Sequence, residues 1–354
     1  MFPLEIWIAI AMLASLVFYA LSGGADFGVG VWDLFATGER KDQQRVVIVR
    51  ALAPIWEIHH IWLALMFALL FVAFPVAFDA VYVALFFPLV LLLVGLALRA
   101  VSFMMRAYVI QSEWAHECWR LIFATSSIVA AVVMGVCIGA VSSGAIRVQV
   151  HTGLVLVDPF SAWWAPFPLA VGLLILSLFA FLSAVYLIHE TEDETLKEDF
   201  RARALGAGVV VFALSWISFA LAGDGAPLIR EGLWHRVWSI PFQGVTGMIS
   251  TAALCALWLR WYKRARILVI GQAVLMIFGW GMAQFPYLIA PDLTIEKAAA
   301  PDTALQPILN ILGVGLLILI PSFFYVYRVF KWRKQENGLP VTEEDLELVE
   351  IEEE

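Results

Sequence analysis

Charge is what this 354-residue chain has least of. Asp, Glu, Lys and Arg make up 15% of it, against 62% for apolar residues. Soluble domains run at about 25% charged and about 45–50% apolar, so a soluble core has no place for this surplus. A lipid bilayer does, because it solvates an apolar helix on every side. Cysteine is nearly as scarce. Cys118, Cys137 and Cys255 show no C-x-x-C or C-x-x-C-H spacing, which leaves a zinc site and a covalently attached c-type haem unsupported. Met1 to Trp7 contains no Lys or Arg, so the start lacks the n-region of a cleavable signal and reads as the beginning of a retained spanning helix. There is no fixed-period repeat and no low-complexity linker. GADFGVG (residues 24–30) has no strand before it and no Lys-Ser/Thr after it, which excludes a phosphate loop. Close helix packing through small residues explains its glycines better.

The net charge of −8 misleads. Residues 341–354 carry eight acids and no base, and without them acids and bases balance at 22 each. The acidity belongs to a solvated tail, residues 335–354, and residues 1–334 read as a single membrane domain. No nucleic-acid partner is expected.

A spanning helix needs about 20 mainly apolar residues. Nine segments qualify: 5–22, 52–74, 78–105, 118–142, 163–188, 203–222, 241–261, 267–290 and 307–330. The third is long enough to tilt or project, and the seventh is weakened by Gln243, Thr246, Ser250 and Thr251. With the N-terminus outside and the C-terminus in the cytoplasm, 18 of the 22 Lys and Arg residues fall on cytoplasmic segments. The four outside are Arg147, Arg230, Arg236 and Lys297. That asymmetry is the positive-inside pattern, and adding or removing an early span would destroy it. The fold class is therefore an all-α polytopic membrane protein. The segment FPYLIAPDLTIEKAAAPDTALQP, after the eighth span, reads as an ordered or substrate-covering outer loop.

Ionisable residues within spans are costly and are functional candidates by default. The densest group opens the second span: Trp56, Glu57, His59, His60 and Trp62. Glu57 and His60 are three apart and share a helix face, a geometry that suits proton exchange. Asp26, just after the first span, is expected near them. His59 faces away from Glu57, so solvation at the span end is its plainer reading, and Trp56 and Trp62 also suit interfacial anchoring. Two histidines raise haem ligation, but neighbours on a helix point about 100° apart, so at most one of His59 and His60 reaches a given iron. Arg99 either snorkels to the interface or makes an ion pair or a contact with a haem propionate of a partner.

Taken in order, GGADFGVGVWDLF (23–35), Arg50 to Glu57, Ile61-Trp62-Leu63, LALRAVSFMMR (96–106), YLIHETEDETLKEDFRARA (186–204) and GMAQFPYLIAP with Ala304-Leu305-Gln306 resemble subunit II of cytochrome bd-type terminal oxidases across nearly the whole chain. The resemblance implies nine helices in two four-helix bundles plus one peripheral helix, paired with a related subunit I. That partner carries the haems (haem b with haem d, or b-type haems alone) and the quinol site. Haem on this chain is not expected. Small single-span accessory subunits and a bound quinone or lipid are further expectations. The complex oxidises quinol and reduces dioxygen to water in a bacterial or archaeal inner membrane. This chain would stabilise subunit I and contribute a cytoplasmic proton route without a complete active site of its own. Asp26 matches the acid of the family's glycine-rich motif, Trp56 the Trp of its Pro-x-Trp-Asp motif, and Arg99 the Arg of its third helix. Glu57 replaces the motif's Asp. The usual motif continues with Gly-Asn-x before Val-Trp-Leu, whereas Ile58-His59-His60 stand here, which marks a divergent member. Two other readings use the same residues: a proton-coupled transporter built on Asp26, Glu57 and His60, and a quinone-linked electron-transfer module without oxygen chemistry.

Overall fold

The computed structural model describes residues 3–52, 59–108, 112–149, 154–158 and 160–336. In chain order they form α1 (Leu4–Leu34), α2 (Lys41–Leu52), α3 (His60–Ala73), α4 (Pro75–Ala84), α5 (Phe86–Tyr108), α6 (Glu113–Ser143), the antiparallel pair β1 (Arg147–Gln149) and β2 (Leu154–Leu156), α7 (Pro166–Leu187), α8 (Glu194–Gly225), α9 (Pro227–Trp234), α10 (Ser239–Trp258), α11 (Tyr262–Gln284), the pair β3 (Tyr287–Ile289) and β4 (Leu293–Thr294), α12 (Ile295–Ala298) and α13 (Asp302–Glu336). Among the described residues, eight helices are long and apolar enough to cross a membrane. The pair α3–α4, bent by 118°, makes a ninth if it counts as one span.

Two boundaries depart from the sequence reading in ways that matter for function. The first span does not stop at residue 22. α1 runs on through the glycine-rich segment to Leu34, about 46 Å at 1.5 Å per residue, and Asp26 lies inside the helix rather than after it. Glycine's weak helix propensity is outweighed because those glycines are the contact points with neighbouring helices. The expected third span, 78–105, is divided at Leu85, and the expected boundary between the second and third spans is a sharp bend. Phe74, with φ −135° and ψ 59°, ends α3, and Pro75 opens α4. The residue before a proline is excluded from helical backbone, and proline itself suits the first turn, so the chain turns sharply there. Leu85 separates α4 from α5.

Residues Met1–Pro301 form one compact unit and Asp302–Glu354 a second. In the first, α1 packs against α3, α6, α7 and α11, while α5–α6, α6–α7, α7–α8 and α10–α11 are neighbours. Phe27, Phe123, Leu178, Phe181 and Leu182 fill the core between them. In α10, the Thr246, Ser250 and Thr251 hydroxyls donate to carbonyls four residues back, which is how a polar sequence is made compatible with a span. The second unit is α13, which passes through Pro307 and Pro321.

The 285–299 segment is ordered. Its Asp292 accepts from Arg147 Nε at 2.8 Å, from Nη2 at 3.0 Å and from the Val148 amide at 3.0 Å, and Ala300 N donates to Ala73 O at the α3–α4 bend. Arg147 holds the Asp292 carboxyl below its ordinary value of 3.8. A depressed carboxylate stabilises the fold fully above the unfolded value and loses that contribution as pH falls through the folded one. Hydrogen-exchange protection in β1 and in residues 292–294, measured against intrinsic rates, is therefore expected to fall selectively below about pH 4 and to stay constant between pH 5 and 8. Asp292→Asn should show the lowered protection at every pH.

Candidate functional site

The candidate site is built on one face of α1. Residues seven apart on a helix are offset by only about 20° and rise about 10.5 Å. Tyr19, Asp26 and Asp33 follow that spacing, and all three are buried. Arg99 and Arg106 repeat it on α5, and Arg120 and Ser127 on α6. The result is two polar rungs stacked along the same three helices.

The Asp26 rung is closed. Arg99 Nη2 donates to Asp26 Oδ1 at 2.5 Å and Nη1 to Oδ2 at 2.8 Å; Nη2 also reaches the Asp26 carbonyl at 3.0 Å. Arg99 Nε donates to Ser127 Oγ at 2.9 Å, and that hydroxyl donates to Phe123 O. The guanidinium lies over the rings of Phe27 and Phe123, 4.7 and 5.0 Å from their centroids. Arg99 is 1% exposed, so it does not snorkel. A planar fork against a carboxylate is the strong, bidentate form of an ion pair, and its aromatic walls suit a delocalised cation. The Asp33 rung is more open. Arg106 Nη1 donates to Asp33 Oδ2 at 3.1 Å and Arg120 Nη1 to the Asp33 carbonyl at 3.0 Å. Arg120 also pairs with Glu117. Asp33 Oδ1 has no hydrogen-bond partner among the described residues.

The histidines meet α1 from the start of α3. The His59 ring is 2% exposed, and its Nε2 stands 3.5 Å from Asp26 Oδ2, too far for a good direct hydrogen bond. It fits only because residue 23 is glycine: a Cβ there would stand 2.7 Å from His59 Cδ2. The His60 ring lies 4.3 Å from that of His59, and both lie over Tyr19 and Phe27. The two rings therefore converge, and His59 is buried rather than solvated at a span end; its orientation toward Glu57 lies outside the described residues. His59 precedes the first residue of α3, and both rings project into the same α1–α3 interface. Tyr19 Oη, His59 Nε2 and His60 Nδ1 are buried without a hydrogen-bond partner among the described residues. Each such atom costs about 1–3 kcal/mol if it stays unpaired.

The expected site residues thus divide. Asp26, Arg99, His59 and His60 come together. Trp56 and Glu57 lie outside the described residues. Sequence reasoning missed Tyr19, Asp33, Arg106, Arg120 and Ser127, whose signal is the seven-residue spacing on three separate helices. His59 does not fit axial haem ligation. The His59 nitrogen faces the Asp26 carboxylate from a ring enclosed by Gly23, Tyr19 and Phe27, and the His60 ring is packed against it. Among the described residues no three His, Cys, Asp or Glu side chains converge to hold a metal ion.

Comparison with known proteins agrees with this architecture. Subunit 2 of the cytochrome bd-I ubiquinol oxidase of Escherichia coli (strain K12) is 26% identical over 96% of this chain and 95% of its own length. The putative cytochrome bd menaquinol oxidase subunit II of Bacillus subtilis (strain 168) is 23% identical over 91% and 94%. Among solved structures, a chain of the bd oxidase from Geobacillus thermodenitrificans superposes with a TM-score of 0.77 over 93% of this chain and 99% of its own, at 21% identity, which establishes a shared fold. The family profile for cytochrome bd terminal oxidase subunit II matches residues 4–330. A multi-pass membrane protein with this fold and a match over nearly its whole length belongs to the cytochrome bd terminal oxidase subunit II family.

Proposed function

We propose that this chain pairs with a haem-bearing subunit I in a respiratory oxidase that oxidises quinol and reduces dioxygen to water, and that its own share of the chemistry is to conduct protons from the cytoplasm. The observation that carries the proton role is the buried Asp26–Arg99 pair with His59 beside it. A charged pair inside a bundle is a costly way to stabilise packing, and such groups within spans mark ion and proton pathways. The names of the relatives support quinol as donor. The haems would supply electron transfer and oxygen binding from the partner, while the side chains of this chain hold and pass protons.

The 18-to-4 split of basic residues supports an N-terminus outside and a C-terminus in the cytoplasm. In that orientation the Asp33 rung lies nearer the cytoplasm than the Asp26 rung. Protons enter past Arg120 and Asp33, reach Asp26, and continue with Glu57 and His60 towards subunit I. α1, α3, α5 and α6 form one four-helix bundle and α7, α8, α10 and α11 the other, with α13 the ninth spanning helix. Bundle contacts through α1 hold the haem-bearing partner's neighbour rigid. The membrane is the inner membrane of a bacterium or archaeon. A transporter needs none of the partnership that the family match supports.

The test is purification of the complex followed by quinol-driven oxygen uptake. Two multi-span subunits, haem and uptake are expected. A haem-free homo-oligomer would sink the proposal. Glu57→Gln is expected to slow turnover by a factor of about 10² with unchanged haem per protein, and equal turnover per haem would remove Glu57 from the route.

A further inference from the structure

We propose that Tyr19, His59 and His60 enclose an ordered internal water beside Asp26, and that Tyr19 is a positioning residue that orients this water for proton transfer. The inference deepens the proton-route reading and rests on it. Its basis is three orphaned atoms carried by three rings in mutual contact. Tyr19 Oη, His59 Nε2 and His60 Nδ1 are each buried and unpaired among the described residues. They belong to rings whose centroids are 5.5 Å (Tyr19–His59), 6.0 Å (Tyr19–His60) and 4.3 Å (His59–His60) apart. Native interiors leave few such atoms, and three at one place have a common cause.

The chemistry of the cluster fits water and little else. A buried water typically makes about three hydrogen bonds, within a range of two to four. The three orphans and the free lone pairs of Asp26 supply up to four partners. A phenol both donates and accepts, and a neutral imidazole offers one nitrogen of each kind, so a water's two hydrogens and two lone pairs can all be matched. The 3.5 Å separation of His59 Nε2 from Asp26 Oδ2 is too long for a good direct bond, and a polar gap of this size is one that a water bridges from the side. Arg99 already occupies Asp26 with two donors, and Oδ2 retains a lone pair with His59 Nε2 3.5 Å away.

The transfer balances without a further reactant. A proton leaving Asp26 forms a bond to the water oxygen, and a different O–H bond of that water breaks as its proton passes to an imidazole nitrogen. The water is regenerated and the carboxylate is left ready for the next proton from the Asp33 side. Tyr19 gives up no proton in this step. Its hydroxyl fixes the direction of the water's hydrogens.

The experiment uses the complete two-subunit complex. Tyr19→Phe keeps the ring and removes only the hydroxyl. It is expected to lower kcat on the order of tenfold, less than the loss of a proton donor itself, to raise the solvent deuterium isotope effect on kcat, and to leave KM for quinol and haem content unchanged. Wild-type kcat and isotope effect in Tyr19→Phe would overturn the proposal. Asp26→Asn separates the two levels. If it is slow while Tyr19→Phe is normal, the proton route stands and the water relay falls; if Asp26→Asn turns over normally, both fall. A map of the wild-type complex resolving waters gives an assay-free arm. Density within about 2.6–3.2 Å of at least two of the three orphaned atoms is expected, and its absence in a well-ordered site contradicts the proposal even if a variant fails to fold.

Discussion

Arg99→Leu is expected to yield membranes with little or no assembled complex. The substitution removes both strong donors from Asp26 and the bond to Ser127, leaving a carboxylate in a space where it is 7% exposed. Breaking a buried pair from one side costs about 3–5 kcal/mol, because the remaining charge is uncompensated. Neutralising both sides is different. Asp26→Asn combined with Arg99→Gln leaves polar groups that can bond to each other and to Ser127, and most of the lost assembly should return. If Asp26 carries protons, turnover should not return with it. Haem per unit of membrane protein reports assembly, and oxygen uptake per haem reports function. Good assembly of Arg99→Leu would mean that Asp26 is neutral or served by other donors.

Gly28→Ala is expected to be nearly as damaging, for a purely steric reason. A Cβ at residue 28 would overlap the Phe179 carbonyl oxygen and the Ser183 hydroxyl on α7. A carbonyl inside a helix cannot rotate aside, so α1 and α7 would have to separate. One turn further on, Trp32 Nε1 donates to Ala180 O at 2.9 Å and to Ser183 Oγ at 3.0 Å, and the same separation would break that tie. Overpacking of this kind costs about 1–3 kcal/mol, occasionally more. Here it also misaligns the helix that carries Tyr19, Asp26 and Asp33. Gly206→Ala is the control. Nothing lies within 4 Å of a Cβ there, so the change should be neutral or stabilise α8 by about 0.5–1 kcal/mol. Thermal midpoints of the two purified variants check the contrast.

Hydropathy alone located the apolar helices, since eight of the nine expected spans correspond to helices able to cross a membrane and the ninth to the bent α3–α4 pair. The break between the second and third expected spans falls where Phe74 and Pro75 bend the chain, whereas the division of the third span at Leu85 was averaged away by a window of about 20 residues. The extension of α1 through GGADFGVG was not legible. Glycine reads as a helix breaker until the surfaces that need its missing side chain are known, and those are His59 before α3 and residues on α6 and α7. Arg99 shows the same limit: whether an arginine near a span end snorkels or is buried depends on Asp26, 73 residues away in sequence. His59 was undervalued because ideal 100° spacing was applied at a helix start, where both rings turn into one interface. His60 was singled out because ionisable residues are rare within spans, and Asp26 because it was expected beside the opening of the second span. Asp33 was overlooked because it stands well beyond the expected end of the first span at residue 22, in what read as a connection between spans. Only the spacing of Asp26 with Asp33, of Arg99 with Arg106 and of Arg120 with Ser127, considered jointly, reveals two stacked rungs.

The most direct test of the central claim is quinol-driven oxygen uptake, per haem, in the purified complex carrying Asp26→Asn with Arg99→Gln. The expected result is normal haem content and normal assembly with turnover reduced by about 10²–10⁴-fold, the range for loss of a proton-transferring group. Wild-type turnover per haem in that assembled double variant would show that the buried pair is structural only and that protons reach the partner by another path.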